Sequence, residues 1–423
     1  MSDLAPLFLP AGFRFGATTA GLKASGRPDF AIIAADQPAS AAALFTANKV
    51  SAAPLAIDKI HLGMSGGLVS LVLINAGNAN CAAGEAGYNA AKAVCLAAAE
   101  TFHCPPEQTF PSSTGIIGVP LPAEKLIAKL PGLKSSIGPT HEHFAALAQA
   151  IMTTDLVEKT AFARIELPVA DGEAPRCIHI AGVCKGSGMI HPQLVPHAAL
   201  HATMLVYLLT DAAIEPATLQ TLLNASANKS FNCISVDGDT STNDTVLLLA
   251  SGASGVQIAA PDSNSASNPT LYENFAAALD QVTSSLAKQI VADGEGVTHV
   301  VELQIKGAAS DADALRIAKS IAHSPLVKTA WAGADPNWGR LVAAIGYSGA
   351  AIDPERIDIR FGDLAICENG GRAAEYNEKA AHEYISQPEF TIHIDLHQGE
   401  GSCTFWTTDL THQYVSINAD YST

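Results

Sequence analysis

Charge is scarce in this chain, and positive charge is scarcest. Only 15% of the residues are charged, and 24 Lys and Arg face 41 Asp and Glu, a formal balance of −17. A field of that sign repels phosphate backbones and anionic lipid surfaces, so nucleic-acid and membrane-surface partners are not expected. It leaves room for a small basic pocket around a carboxylate. Aromatics are few at 6%, while small apolar residues dominate a hydrophobic fraction of 48%, which favours close packing of helices on sheets. The eight cysteines, at 81, 95, 104, 177, 184, 233, 367 and 403, contain no CxxC pair, so a zinc ribbon or thioredoxin motif has no support and no metal site is expected. They read as small, mostly buried residues in a reducing, cytoplasmic setting. No apolar run reaches the roughly 18–20 residues that span a bilayer, and Met1 to Arg14 has neither a signal-peptide nor a transit-peptide pattern.

What is present is an alternation of strand-like and helix-like segments, predicting an α/β protein with mixed sheets. Leu71 to Ile74 is a short apolar run leaving at Asn75 and Gly77, and Cys177 to Ile180 and Asp244 to Leu249 read as further strands. Ala90 to Phe102 is Ala-rich and suits a helix. Phe275, Leu279, Val282, Leu286 and Ile290 share one face of a helix over 271–291 that stops at Asp293-Gly294-Glu295-Gly296. Residues 298–306 alternate as a strand. Ser310 caps a helix over 311–322, with Pro325 beyond its end. Residues 356–361, 390–396 and 403–407 again show period two, and 260–270 reads as a surface loop.

Three segments carry chemistry. In Lys185-Gly186-Ser187-Gly188 the lysine leads, whereas a Walker loop places Gly-Lys before Ser or Thr, so a nucleotide site is not supported. Downstream, Ala202-Thr203 opens a run over 203–211 that reads as helix-like. On spacing alone Thr203 is a helix cap; were the Ala202–Thr203 bond cut, its freed α-amine would become a base for its own hydroxyl. In Ser112-Ser113-Thr114-Gly115 a hydroxyl and a glycine N–H could hold an oxyanion, or merely form a turn. Asp237 to Thr245 resembles a calcium loop, but position 12 is Leu248 instead of glutamate, so a polar pocket-lining loop is expected.

Taken together, KGSGMI and ATML, SSTGIIG, SVDGDTSTNDT, NAGNAN at 75–80, DGEG at 293–296, Gly12-Phe13-Arg14, SGRPDFAII from Ser25, Met152-Thr153-Thr154-Asp155, DPNWGR from Asp335 and the terminal INADYST resemble the ornithine acetyltransferase (glutamate N-acetyltransferase) family, in order and over nearly the whole chain. The resemblance implies layered mixed sheets of the threonine-nucleophile aminopeptidase-like type. It implies self-cleavage between Ala202 and Thr203 into an α chain, 1–202, and a β chain, 203–423, assembled as two copies of each. Thr203 is then the nucleophile and Thr114 with Gly115 the oxyanion hole. Substrate contacts carry over to Thr153 (of the pair Thr153 and Thr154), Lys185, Thr203, Glu295, Asn418 and Thr423. The implied reaction passes acetyl from N-acetylornithine to glutamate without a cofactor, with acetyl-CoA as an optional second donor.

One departure stands beside the scissile bond. Where the family goes almost directly from GSGMI to the nucleophile motif, this chain inserts Gln193 to His201, including Pro196, His197 and His201. Two other outcomes stay open on the residues: a hydrolase in which water replaces glutamate, and an uncleaved homologue that only binds.

Overall fold

The computed structural model describes residues 8–47, 49–167, 176–195, 204–261 and 268–420. Its strands are β1 Phe13–Thr18, β2 Phe30–Thr46, β3 Leu68–Asn78, β4 Thr109–Ile116, β5 Lys159–Leu167, β6 Arg176–Lys185, β7 Leu194–Val195, β8 Leu205–Thr210, β9 Ala213–Ile214, β10 Thr245–Ala250, β11 Gln257–Ile258, β12 Val300–Ala308, β13 Asp358–Phe361, β14 Leu364–Glu368, β15 Gly371–Arg372, β16 Glu389–Asp395 and β17 Gly401–Thr408. Among the described residues, nine strands form one mixed sheet in the order β4-β3-β2-β10-β8-β6-β5, with β1 and β7 also paired to β2. Six form a second sheet, β15-β14-β13-β16-β12-β17, and β9 pairs with β11.

Local chemistry explains most elements. The helix Pro269–Ala292 starts with the Asn268 side chain accepting from the Leu271 N–H at 3.1 Å and Pro269 in its first turn. Its predicted stripe, Phe275, Leu279, Val282, Leu286 and Ile290, is fully buried and packs on β5 and β6, with β17 also in contact. The helix Asp311–Ala322 matches its predicted span, and Ser310 Oγ accepts from the Asp313 N–H at 3.2 Å. Pro325 opens a further helix, Pro325–Ala332. In the second sheet, Val301, Leu303, Ile305, Ile392 and Ile394 enter the core while Glu302, Gln304, Thr391 and His393 are only half-buried, as period two requires.

The helix expected over 203–211 is corrected: Leu205–Thr210 is strand β8, antiparallel to β6 and parallel to β10. Leu205, Tyr207 and Leu209 enter one core, Val206 and Leu208 the other. A strand buried on both faces loses polar alternation, so periodicity could not distinguish it from a buried helical turn. β8 and β10, which follow residue 203, lie between β2 and β6, which precede residue 202. The halves on either side of Ala202 are therefore woven into one sheet.

Candidate active site

The site grows from the ends of parallel strands β3 and β4, where Gly77 faces Gly115. Gly115 has φ +128°, and a Cβ there would sit 2.4 Å from the Gly77 carbonyl carbon, so only glycine lets the strands approach this closely. Ser113 Oγ donates to Asn75 Oδ1 at 2.6 Å, and Asn243 Nδ2 donates to the carbonyls of Ala79 and Ser113 at 2.6 and 2.8 Å. The NAGNAN, SSTGIIG and STNDT segments thus meet, and Thr114 is buried near the end of β4.

Lys185, the last residue of β6, donates from Nζ to Thr114 Oγ1 at 3.4 Å. Across the sheet it faces Leu205. The next residue back, Met204, is anchored at both ends: its N–H donates to the Asp244 carboxylate, and its carbonyl accepts from Thr245 N–H at 2.9 Å. Asp237 accepts from the N–H groups of Met189 and Ile190 at 2.6 and 2.9 Å, so the loop over 237–245 orders the chain on both sides of the predicted cleavage point. Burial lowers the Lys185 ammonium from its ordinary value, with Asp155, Asp244 and Glu295 pulling the other way and Lys159 adding to the fall.

A buried charge cluster fixes the loops around it. Lys159 Nζ donates to Asp155 Oδ1 at 2.8 Å and to the Asp293 carboxylate. Asp155 also accepts from the N–H groups of Gly186 and Thr153, at 2.7 and 2.9 Å. Asp293 accepts from Leu156 N–H at 3.0 Å, and its carbonyl accepts from Ser187 Oγ at 2.6 Å. Burial works to raise the Asp155 carboxyl, but Lys185 and Lys159 outweigh it and hold it below the carboxylate range. One cluster therefore ties the Thr153 loop, the Lys185 loop and the Glu295 loop together. Asp155 lay inside a recognised motif without an assigned role, and Lys159 carried no sequence signal; Lys23 is a further missed cation. It donates to the Ala150 carbonyl at 2.8 Å and is lowered to about 8 by burial and by Arg27.

At the far end, Glu295 is half-buried and accepts from Asn418 Nδ2 at 2.8 Å. A Cβ on Gly188 would fall 2.4 Å from the Glu295 carboxyl carbon, so the glycine makes room for this acid. Thr114, Gly115 and Lys185 thus form one group, Thr153 hangs from it through Asp155, and Glu295 with Asn418 forms a second group. Ala202, Thr203, His197, His201 and Thr423 lie outside the described residues. At the start of the insertion, Leu194 and Val195 pair with Thr46 and Phe45 of β2, and Asn232 Oδ1 accepts from Leu194 N–H at 2.7 Å.

The family profile described as the ArgJ family matches residues 14–423. The chain is 42% identical over 426 residues to the arginine biosynthesis bifunctional protein ArgJ of Ruegeria pomeroyi, covering 100% of this chain and 98% of that protein. It is 42% identical over 413 residues to the protein of the same name from Geobacter sulfurreducens, covering 97% and 99%. A crystal structure of ArgJ from Bacillus halodurans shares 42% identity over 50% of this chain and 96% of that one, with a TM-score of 0.47.

Proposed function

This chain belongs to the ArgJ family and is an acyltransferase of arginine biosynthesis, and we propose that it transfers acetyl from N2-acetylornithine to glutamate through an acetyl-Thr203 intermediate. Cleavage between Ala202 and Thr203 comes first: the Thr203 hydroxyl attacks the Ala202 carbonyl, an ester forms, and water releases residues 1–202 from 203–423. The new α-amine then serves as the base for the hydroxyl beside it. Thr203 adds to the acetyl carbonyl, and the Thr114 hydroxyl with the Gly115 N–H stabilises the developing oxyanion. Because Lys185 donates to Thr114 Oγ1, the Thr114 proton is turned away from Lys185 and polarised as a donor. Lys185 and Thr153 receive the substrate carboxylate, and Glu295, with Asn418 and Thr423 near it in role, receives the ornithine ammonium. Ornithine leaves, and the glutamate α-amine takes the acetyl group in a ping-pong cycle.

The observation that carries this reading is the convergence of Thr114, Lys185 and the anchored Met204 on one point of the large sheet. The working molecule is a pair of α and a pair of β chains in the cytoplasm, and acetyl-CoA serves as an alternative donor. On a denaturing gel the purified protein should give two fragments near half size, one beginning Thr-Met-Leu. Intact mass after adding N-acetylornithine should show one acetyl group on that fragment, and glutamate should remove it without release of acetate. Acetate release instead would mean a hydrolase; one intact band with full activity would sink the proposal.

A further inference from the structure

A second cluster, sharing no residue with the proposed acetyl-transfer site, lines a cleft of about 860 Å³ between the helix Asp311–Ala322, strand β17 and the short 3-10 helix Phe231–Cys233. Cys233, Cys403 and Lys319 all line it, together with Leu315 and Trp406. Cys233 Sγ donates to the Asn228 carbonyl at 3.1 Å, and Cys403 is the neighbour that acts most on its ionisation. The two cysteines are held near each other by backbone: Ile234 bridges to Trp406 in parallel register, and Ser235 N–H donates to the Trp406 carbonyl at 3.0 Å. Lys319, in the wall of the same cleft, is a cation close enough for both sulfurs to act on its charge.

We propose that Cys233 and Cys403 form a thiol-exchange site that takes low-molecular-weight disulfides. Cys233, as thiolate, attacks one sulfur of the small disulfide; that S–S bond breaks and one small thiolate leaves. The Cys403 thiolate then attacks the Cys233 sulfur of the mixed disulfide and expels the second small thiolate. Two protein thiols become one Cys233–Cys403 disulfide, one small disulfide becomes two small thiols, and the two protein protons pass to them. The division of labour follows from the cluster. Neighbouring Cys403 lowers the Cys233 thiol against its burial, with Lys319 adding to it, while Cys233 and burial raise Cys403. Cys184, by contrast, is fully buried and pushed up to about 12 by that burial.

The test uses the full chain treated with oxidised glutathione and then alkylated in denaturant. Two of its eight thiols should resist alkylation, and non-reducing peptide mapping should link Cys233 to Cys403. With Cys403→Ser the reaction should stop at one glutathione on Cys233, and with Lys319→Met the wild-type pair should react ~10-fold more slowly. Adducts on half-buried Cys104 or Cys177 with the pair still reduced would overturn the proposal. So would a stable glutathione adduct on wild-type Cys233 that never resolves.

Discussion

The chemistry assigned to this site turns on a contact between two side chains 71 positions apart, Lys185 and Thr114. Removing one oxyanion donor typically costs a factor of ~10²–10³ in kcat, so Thr114→Ala should lower kcat by about that much in steady-state assays, with little change in KM. Lys185→Met should lower kcat too, by loss of polarisation, and also raise KM for N-acetylornithine. A second single-residue effect concerns Asp58. Its side chain is fully buried and neither carboxyl oxygen has a partner among the described residues. Burial raises its pKa well above the carboxylate range, with Lys59 only partly opposing. The folded chain therefore keeps a proton that the unfolded chain gives up above about pH 4, so this group erodes stability as pH rises from there toward its folded pKa. Asp58→Asn, which cannot ionise, should melt higher than wild type at pH 8 and converge with it near pH 4; a gap independent of pH would refute this.

The loops, more than any single residue, hold the candidate site together. Lys159 holds Asp155 and Asp293 in the interior, and those two acids anchor the segments bearing Thr153, Gly186 and Leu156. Breaking a buried ion pair by deleting one partner costs about 3–5 kcal/mol. Lys159→Met should show a loss of that order in urea unfolding, and the double variant with Asp155→Asn should recover part of it. Gly188→Ala places a methyl against the Glu295 carboxylate, forcing that acid aside. Its expected signature is a raised KM for N-acetylornithine with the KM for glutamate less affected, read from ping-pong kinetics. Elements also differed in how openly they announced themselves. The helix Pro269–Ala292 wears its core face as a stripe, whereas 17-residue β2, interrupted by Pro38 and rich in alanine, carries no clear alternation.

Across the whole molecule, the large sheet alternates strands from both sides of Ala202, with β8 and β10 seated between β2 and β6. Leu205, Val206, Tyr207, Leu208 and Leu209 are all fully buried there. Cleavage would remove one covalent bond and leave every one of these ladders and both cores intact. The processed protein should therefore elute from a native sizing column as one species containing both fragments, and release them only in denaturant. Separation of the fragments in plain buffer would contradict this.

Residue order alone was enough to read the family resemblance, the α/β class and the capped helix Asp311–Ala322, because these depend on short-range spacing and on residue type. Three dimensions were needed to turn residues 205–210 into a central strand and to recruit Lys159 between two distant acids. They were also needed to bring Cys233 and Cys403 onto one cleft. Each of these rests on burial against partners far away in the chain, and burial by distant partners leaves no local period to read.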